Sequence, residues 1–163
     1  MSILSALAVT TDRFSIALAA EGPASVGQHK MTLSLSLDDA RRMAAAAETH
    51  ARQNGTSVVV TILDAGGHVI LTERMEGAQL ASLALAQRKA VSAIYYKRPS
   101  RAFEQALAGG RTAVLALPDA MPAGGGIPLM QDGVVYGAIG VSGGNNDQDQ
   151  AAAEAGVAAL ARP

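Results

Sequence analysis

The segment from Gly124 to Gly144 constrains the fold more than any other part of the chain. It runs glycine loop, apolar run, Asp132–Gly133, apolar run, glycine loop. An Asp-Gly pair between two apolar runs is a strong short-range hairpin signal, because glycine accepts the positive φ that a tight turn between twisted strands needs. The segment therefore predicts two antiparallel strands. The glycine loops at their open end are expected to bare backbone N–H groups to a small ligand.

The chain has 163 residues, enough for one domain with a real core. It is 49% hydrophobic and 17% charged, a globular balance. A net charge of −1 leaves no electrostatic footprint for nucleic acid, and no basic cluster points to an anionic membrane. Aromatic residues make up 3% and there is no Trp, which argues against base stacking. With no Cys, the chain has no disulfide, Cys-ligated zinc, iron–sulfur cluster or cysteine nucleophile. No apolar run is long enough to cross a bilayer, and the expected location is the cytoplasm. The apolar start, Ile3 to Val9, lacks a preceding basic region and is broken by Thr10–Arg13, so residues 1–30 read as an extension rather than a signal peptide. Glu21–Gly27 is linker chemistry, and the domain is expected over residues 31–163, beginning near His29.

Ser36 is an N-cap, followed by Asp38 and Asp39 in the favourable first turn, and Gly55 closes that helix. Leu37, Ala40, Ala44, Ala47 and Ala51 form a stripe at helical spacing. Ser57 to Leu63 is a continuous β-branched run, a buried strand, and Asp64–Gly67 turns it back into His68–Arg74. Leu80–Tyr96 predicts a long helix stopped by Pro99. Ser100 is expected to cap a short helix over Arg101–Leu107. Thr112–Leu117 reads as a third strand, and the Asp132–Gly133 hairpin supplies the fourth and fifth. Asn146 or Asp147 is expected to cap a last helix reaching Leu160. The class is α+β: a five-stranded antiparallel sheet with helices packed on its faces.

Few residues carry chemistry. Arg74, at a strand exit, either holds a ligand carboxylate in bidentate fashion or pairs with Glu73 or Glu76. Lys89 has small or apolar neighbours at helical spacing (Leu85, Ala86, Ser92, Ala93), which suits either an ammonium in a pocket or a lysine snorkelling from the helix edge. His29, His50 and His68 lack metal-ligand spacing, so no metal site is expected. Tyr95 and Tyr96, beside Lys97 and Arg98, offer a phenolate for haem iron or a rim over the core. Ser142–Gly143–Gly144 precedes a helix as phosphate loops do, but Asp147 and Asp149 already complement that helix start. Ser142 has no nucleophile elbow around it.

In this order, Val60–His68, Arg74–Ala78, Lys89–Ala90, Gly110–Ala113, Gly125–Pro128 and Asp132–Gly144 with Asp149 resemble the GlcG/HbpS family, the haem-degrading domain family that includes the C-terminal domain of PduO-type proteins. The resemblance covers about Leu35 to Leu160. It implies a profilin-like fold and homo-oligomers built of dimers, often octamers. It also implies haem or a corrinoid-related ligand in some members. Arg74, Lys89, Tyr96, Gly125, Gly126, Ser142 and Gly143 are the expected ligand-binding residues.

Three functions stay open at this level. One is a small-ligand binding protein, with haem or another tetrapyrrole leading; Arg74, Lys89, Lys97, Arg98 and Arg111 would supply charge, and Tyr95, Tyr96, His50 or Met75 an axial donor. Another is a catabolic hydrolase or isomerase acting on a small organic acid. There Lys89 is the catalytic base or anion clamp and Arg74 grips the substrate carboxylate. A third is a structural or regulatory oligomer without pocket chemistry.

Overall fold

The structure is a computed structural model that describes residues 33–160. The expectations for residues 1–30, with the linker and His29, lie outside the described residues. The chain runs through α1 (Leu37–Gln53), β1 (Val59–Asp64), β2 (Val69–Arg74), α2 (Ala81–Tyr96), α3 (Arg101–Ala108), a 3₁₀ turn (Thr112–Ala116), β3 (Gly126–Gln131), β4 (Val134–Ser142) and α4 (Asn146–Ala158).

The α+β class is as expected, but the sheet has four strands, in the order β2-β1-β4-β3 with every neighbouring pair antiparallel. The expected strand at Thr112–Leu117 is the 3₁₀ turn. Its bonds run from Val114 N–H to the Arg111 carbonyl and from Leu117 N–H to the Val114 carbonyl. Only Val114 is buried, while Leu115 and Leu117 point outward. One inward side chain in six does not reward a ladder, so short-range bonds win. Pro128, which has no N–H to give, sits in β3 at the sheet edge, where proline is tolerated.

β1 alternates between two packed faces. Val58, Val60 and Ile62 meet Ile139, Val141 and the helices α1 and α4. Val59 and Leu63 face α2 through Ala86, Ala90 and Ala93, with Ala78, just before that helix, beside Val59. Both faces are dry, which is why the strand reads as an unbroken apolar run. Ser36 caps α1 through a capping box with Asp39. The buried stripe of α1 is Ala40, Met43, Ala44, Ala47 and Ala51; Leu37 lies outside it, exposed. Asn145, not Asn146 or Asp147, caps α4, with Gln148 completing the box. The Ser100 side chain does not cap α3; it is bonded into the loop before β3 instead.

α2 lies unusually close to the sheet. A Cβ at Gly140 would run into the Ala86 carbonyl oxygen, and one at Gly126 into that of Lys89. These two glycines exist for close approach of backbone to backbone. The turn between β1 and β2 is held by Asp64, whose carboxylate accepts the N–H groups of Gly66 and His68. The His68 backbone bond, ahead of the other contacts, keeps this carboxyl below the usual aspartate range.

Candidate functional site

Two arrangements gather the residues singled out in the sequence. The first is a buried knot. Lys89, on the inward face of α2, is 3% exposed at its side chain and does not snorkel. Its Nζ donates to Asp149 Oδ2 at 2.6 Å and to the Val141 carbonyl at 3.0 Å. The other Asp149 oxygen accepts the Gly144 N–H at 2.8 Å. Burial pushes the Asp149 carboxyl above its ordinary value, against the pull of Lys89 and of the Gly144 and Gly143 N–H groups. Gly125 stands directly over the ammonium, and Gly143 backs onto the Ser57 carbonyl. The fold thus brings Lys89, Gly125, Gly126, Ser142 and Gly143 into one neighbourhood.

The glycine-loop amides do not face open space. Gly124 N–H donates to Glu104 Oε2, Gly125 N–H to Gln150 Oε1 and Gly126 N–H to Ser100 Oγ. Three successive donors meet three side-chain acceptors, so the loop is bound to its own protein. Ser142 is buried at the end of β4, opposite Val59.

The second arrangement surrounds Arg74. Val59 pairs with Arg74 on one side and Ser142 on the other, so Arg74 stands two strands from the knot, about 10 Å at ordinary strand spacing. Arg74 forms no ion pair with Glu73 or Glu76, and its guanidinium has no partner among the described residues. It lines an open cavity of about 490 Å³ with Glu48, Arg52, Thr56, Ser57, Met75 and Glu76. Gly55, at φ +69°, reverses the chain after α1 and places Thr56 and Ser57 there. The Met75 sulfur accepts the Val58 N–H at 3.4 Å, which fixes one wall. The Glu48 carboxyl is raised chiefly by burial and further by Glu73, with Arg52 opposing.

Lys89 is not among the residues lining this cavity, so the structure does not place it beside Arg74 as one cleft would require. Tyr96 lies farther off, seven residues along α2 from Lys89, about 10 Å by helical rise. Its hydroxyl donates to the Pro118 carbonyl at 2.6 Å, and its ring meets Phe103 edge-on. Tyr95 is exposed, beside Gly67. Arg98 stacks over Phe103, His50 is half-buried on the last turn of α1, and Lys97 and Arg111 are exposed. No group of three or more metal-ligating side chains occurs among the described residues, and no helix there is long and apolar enough to cross a membrane.

Sequence reasoning missed Asp149 as the partner of Lys89, the acceptors Glu104, Gln150 and Ser100, and the pair Glu48 and Arg52. The Glu48/Arg52 spacing of four on a helix was a readable signal. The others are joined only by the tertiary fold.

A family model described as haem degrading protein HbpS-like matches residues 35–158. Protein GlcG of Escherichia coli K12 is 34% identical over 113 residues, covering 69% of this chain and 84% of GlcG. Corrinoid adenosyltransferase PduO of Citrobacter freundii is 34% identical over 133 residues, 78% of this chain but 39% of PduO. Among solved structures, a PduOC:heme complex superimposes with a TM-score of 0.71 at 32% identity, covering 78% of this chain and 96% of that one. Matched over nearly all of its described residues, the chain belongs to the HbpS-like family of haem degrading proteins.

Proposed function

We propose that this chain is a small-ligand binding protein whose ligand is haem or a closely related tetrapyrrole, gripped through a carboxylate arm by Arg74. The observation that carries the reading is the unpartnered Arg74 guanidinium at the cavity wall. An arginine with free donors and a fixed backbone binds a carboxylate in bidentate geometry. The cavity is too polar to cover a macrocycle and suits the acidic arms of one. For the ring itself, Val69 and Thr72 are also exposed on β2, the strand that ends in Arg74. The family match and the haem complex of a relative support the same ligand. Axial ligation of iron is not part of this reading.

The catabolic-enzyme reading asks Lys89 to act as base or anion clamp, yet its ammonium is buried and already bonded to Asp149 and Val141. We favour binding over turnover for that reason. The exposed Leu80, Leu83, Leu115 and Leu117 support a homo-oligomer. Titration of the protein with haemin tests the function. A saturable shift of the Soret band is expected, weakened in Arg74→Gln; an unchanged spectrum overturns the reading.

A further inference from the structure

We infer that Arg52 and Arg74 form a two-guanidinium clamp that selects tetrapyrroles carrying two free carboxylates over those whose arms are amides or esters. This rests on the binding reading above and adds to it the class of ligand accepted. Arg52 comes from the last turn of α1 and Arg74 from the last residue of β2, and both line the same cavity. Arg74 has no partner among the described residues, and Arg52 is held only by a long, exposed ion pair with Glu48 at 4.0 Å, beyond hydrogen-bonding distance, which leaves its N–H donors free to turn to a ligand.

Each guanidinium offers five donors in a planar fork, matched by a carboxylate and poorly by an ester or a primary amide. Two forks on separate elements suit two acids on separate flexible arms. Glu48 and Glu76 in the same wall bring its formal charge to zero. A compact inorganic dianion therefore gains little from the net field, and recognition falls to directed bonds. The wall carboxylates accept bonds but give none: they can take an amide's N–H groups, while the carbonyl oxygen of an amide or ester bonds the forks more weakly than a carboxylate does.

The test compares haemin, haemin dimethyl ester and cyanocobalamin against the wild type, Arg52→Gln, Arg74→Gln and the double variant. Affinity is read from absorbance titrations, and far-ultraviolet circular dichroism confirms folding. Both arginines are exposed at the rim, so the variants keep the core intact. The wild type is expected to bind haemin about tenfold or more tightly than its dimethyl ester, the scale of a charge-assisted bond. Each single variant is expected to lose about tenfold for haemin and little for the ester, and the double variant to lose the preference. Equal affinity of the wild type for haemin and its ester, a preference that survives in the double variant, or tighter binding of cobalamin than of haemin overturns the clamp and leaves tetrapyrrole binding standing. Absence of binding to all three ligands overturns both.

Discussion

At the scale of single residues, Lys89 and Asp149 are the most deeply buried ion pair among the described residues. Both side chains are almost fully buried and each is the other's counter-charge. A buried pair is weak evidence of net stabilisation, but removing one partner strands the other. Asp149→Ala is expected to cost about 3–5 kcal/mol in urea unfolding. Lys89→Met is expected to behave differently, because a carboxyl can escape by taking up a proton. In that variant the force opposing burial is gone, so the Asp149 carboxyl, already raised, rises further. A carboxyl raised in the folded state favours folding most below its unfolded value and loses that contribution as pH rises through the folded value. Lys89→Met should therefore fall behind the wild type progressively as pH climbs above the ordinary aspartate range. A constant deficit from acid to neutral pH would contradict this. Pairing Lys89→Met with Asp149→Leu should recover part of the loss, which a double-mutant cycle measures. In the sequence, Lys89 carried an ambiguous neighbourhood and Asp149 looked like helix-start charge. Nothing local joined two residues sixty positions apart.

At the scale of elements, the contact of α2 with the sheet rests on missing side chains. Gly140 and Gly126 let helix backbone approach strand backbone, and the obstacle at each is a carbonyl oxygen, which cannot swing aside as a side chain would. Gly140→Ala should destabilise by about 1–3 kcal/mol or more, the range of overpacked cores. Thermal unfolding followed by circular dichroism checks it, and an unchanged midpoint would show that α2 yields freely. Most elements were legible because their determinants are short-ranged. The Ser36 cap with Asp39 three residues later, the Asp132–Gly133 turn and the β-branched run of β1 each specify structure over a few residues. The failure at Thr112–Leu117 is equally instructive. The segment read locally as a strand closed by Pro118, but a strand needs a neighbour and a buried face, and this segment buries Val114 alone.

At the scale of the whole molecule, the sheet is covered by α1 and α4 on one face and α2 on the other, while the row Arg74–Val59–Ser142 carries one register across three strands. Ligand bound only to the folded state must stabilise it by mass action. Haemin at a hundred times its dissociation constant should raise the unfolding free energy by about 2.7 kcal/mol. The urea midpoint of the wild type should move accordingly, and that of Arg74→Gln should move less at the same haemin concentration. Equal shifts in both proteins would place the ligand away from Arg74. The resemblance to a family was legible over almost the whole domain, because glycines and turn residues at fixed spacing record backbone geometry directly. The cavity was half legible. Arg74 was visible at its strand exit, whereas Arg52 and Glu48 joined it only when the end of α1 met the end of β2.

The amino-acid sequence by itself determined the α+β class, the hairpins and the Ser36 cap of α1, since a positive φ at glycine or a serine hydroxyl on a nearby N–H is settled within a few residues. The tertiary structure decided which partners the polar groups took. It turned the Gly124–Gly126 amides onto Glu104, Gln150 and Ser100, buried Lys89 against Asp149, and left Arg74 without a partner among the described residues. Those choices depend on distances between elements far apart in the chain, set by strand register and by how closely α2 can approach the sheet.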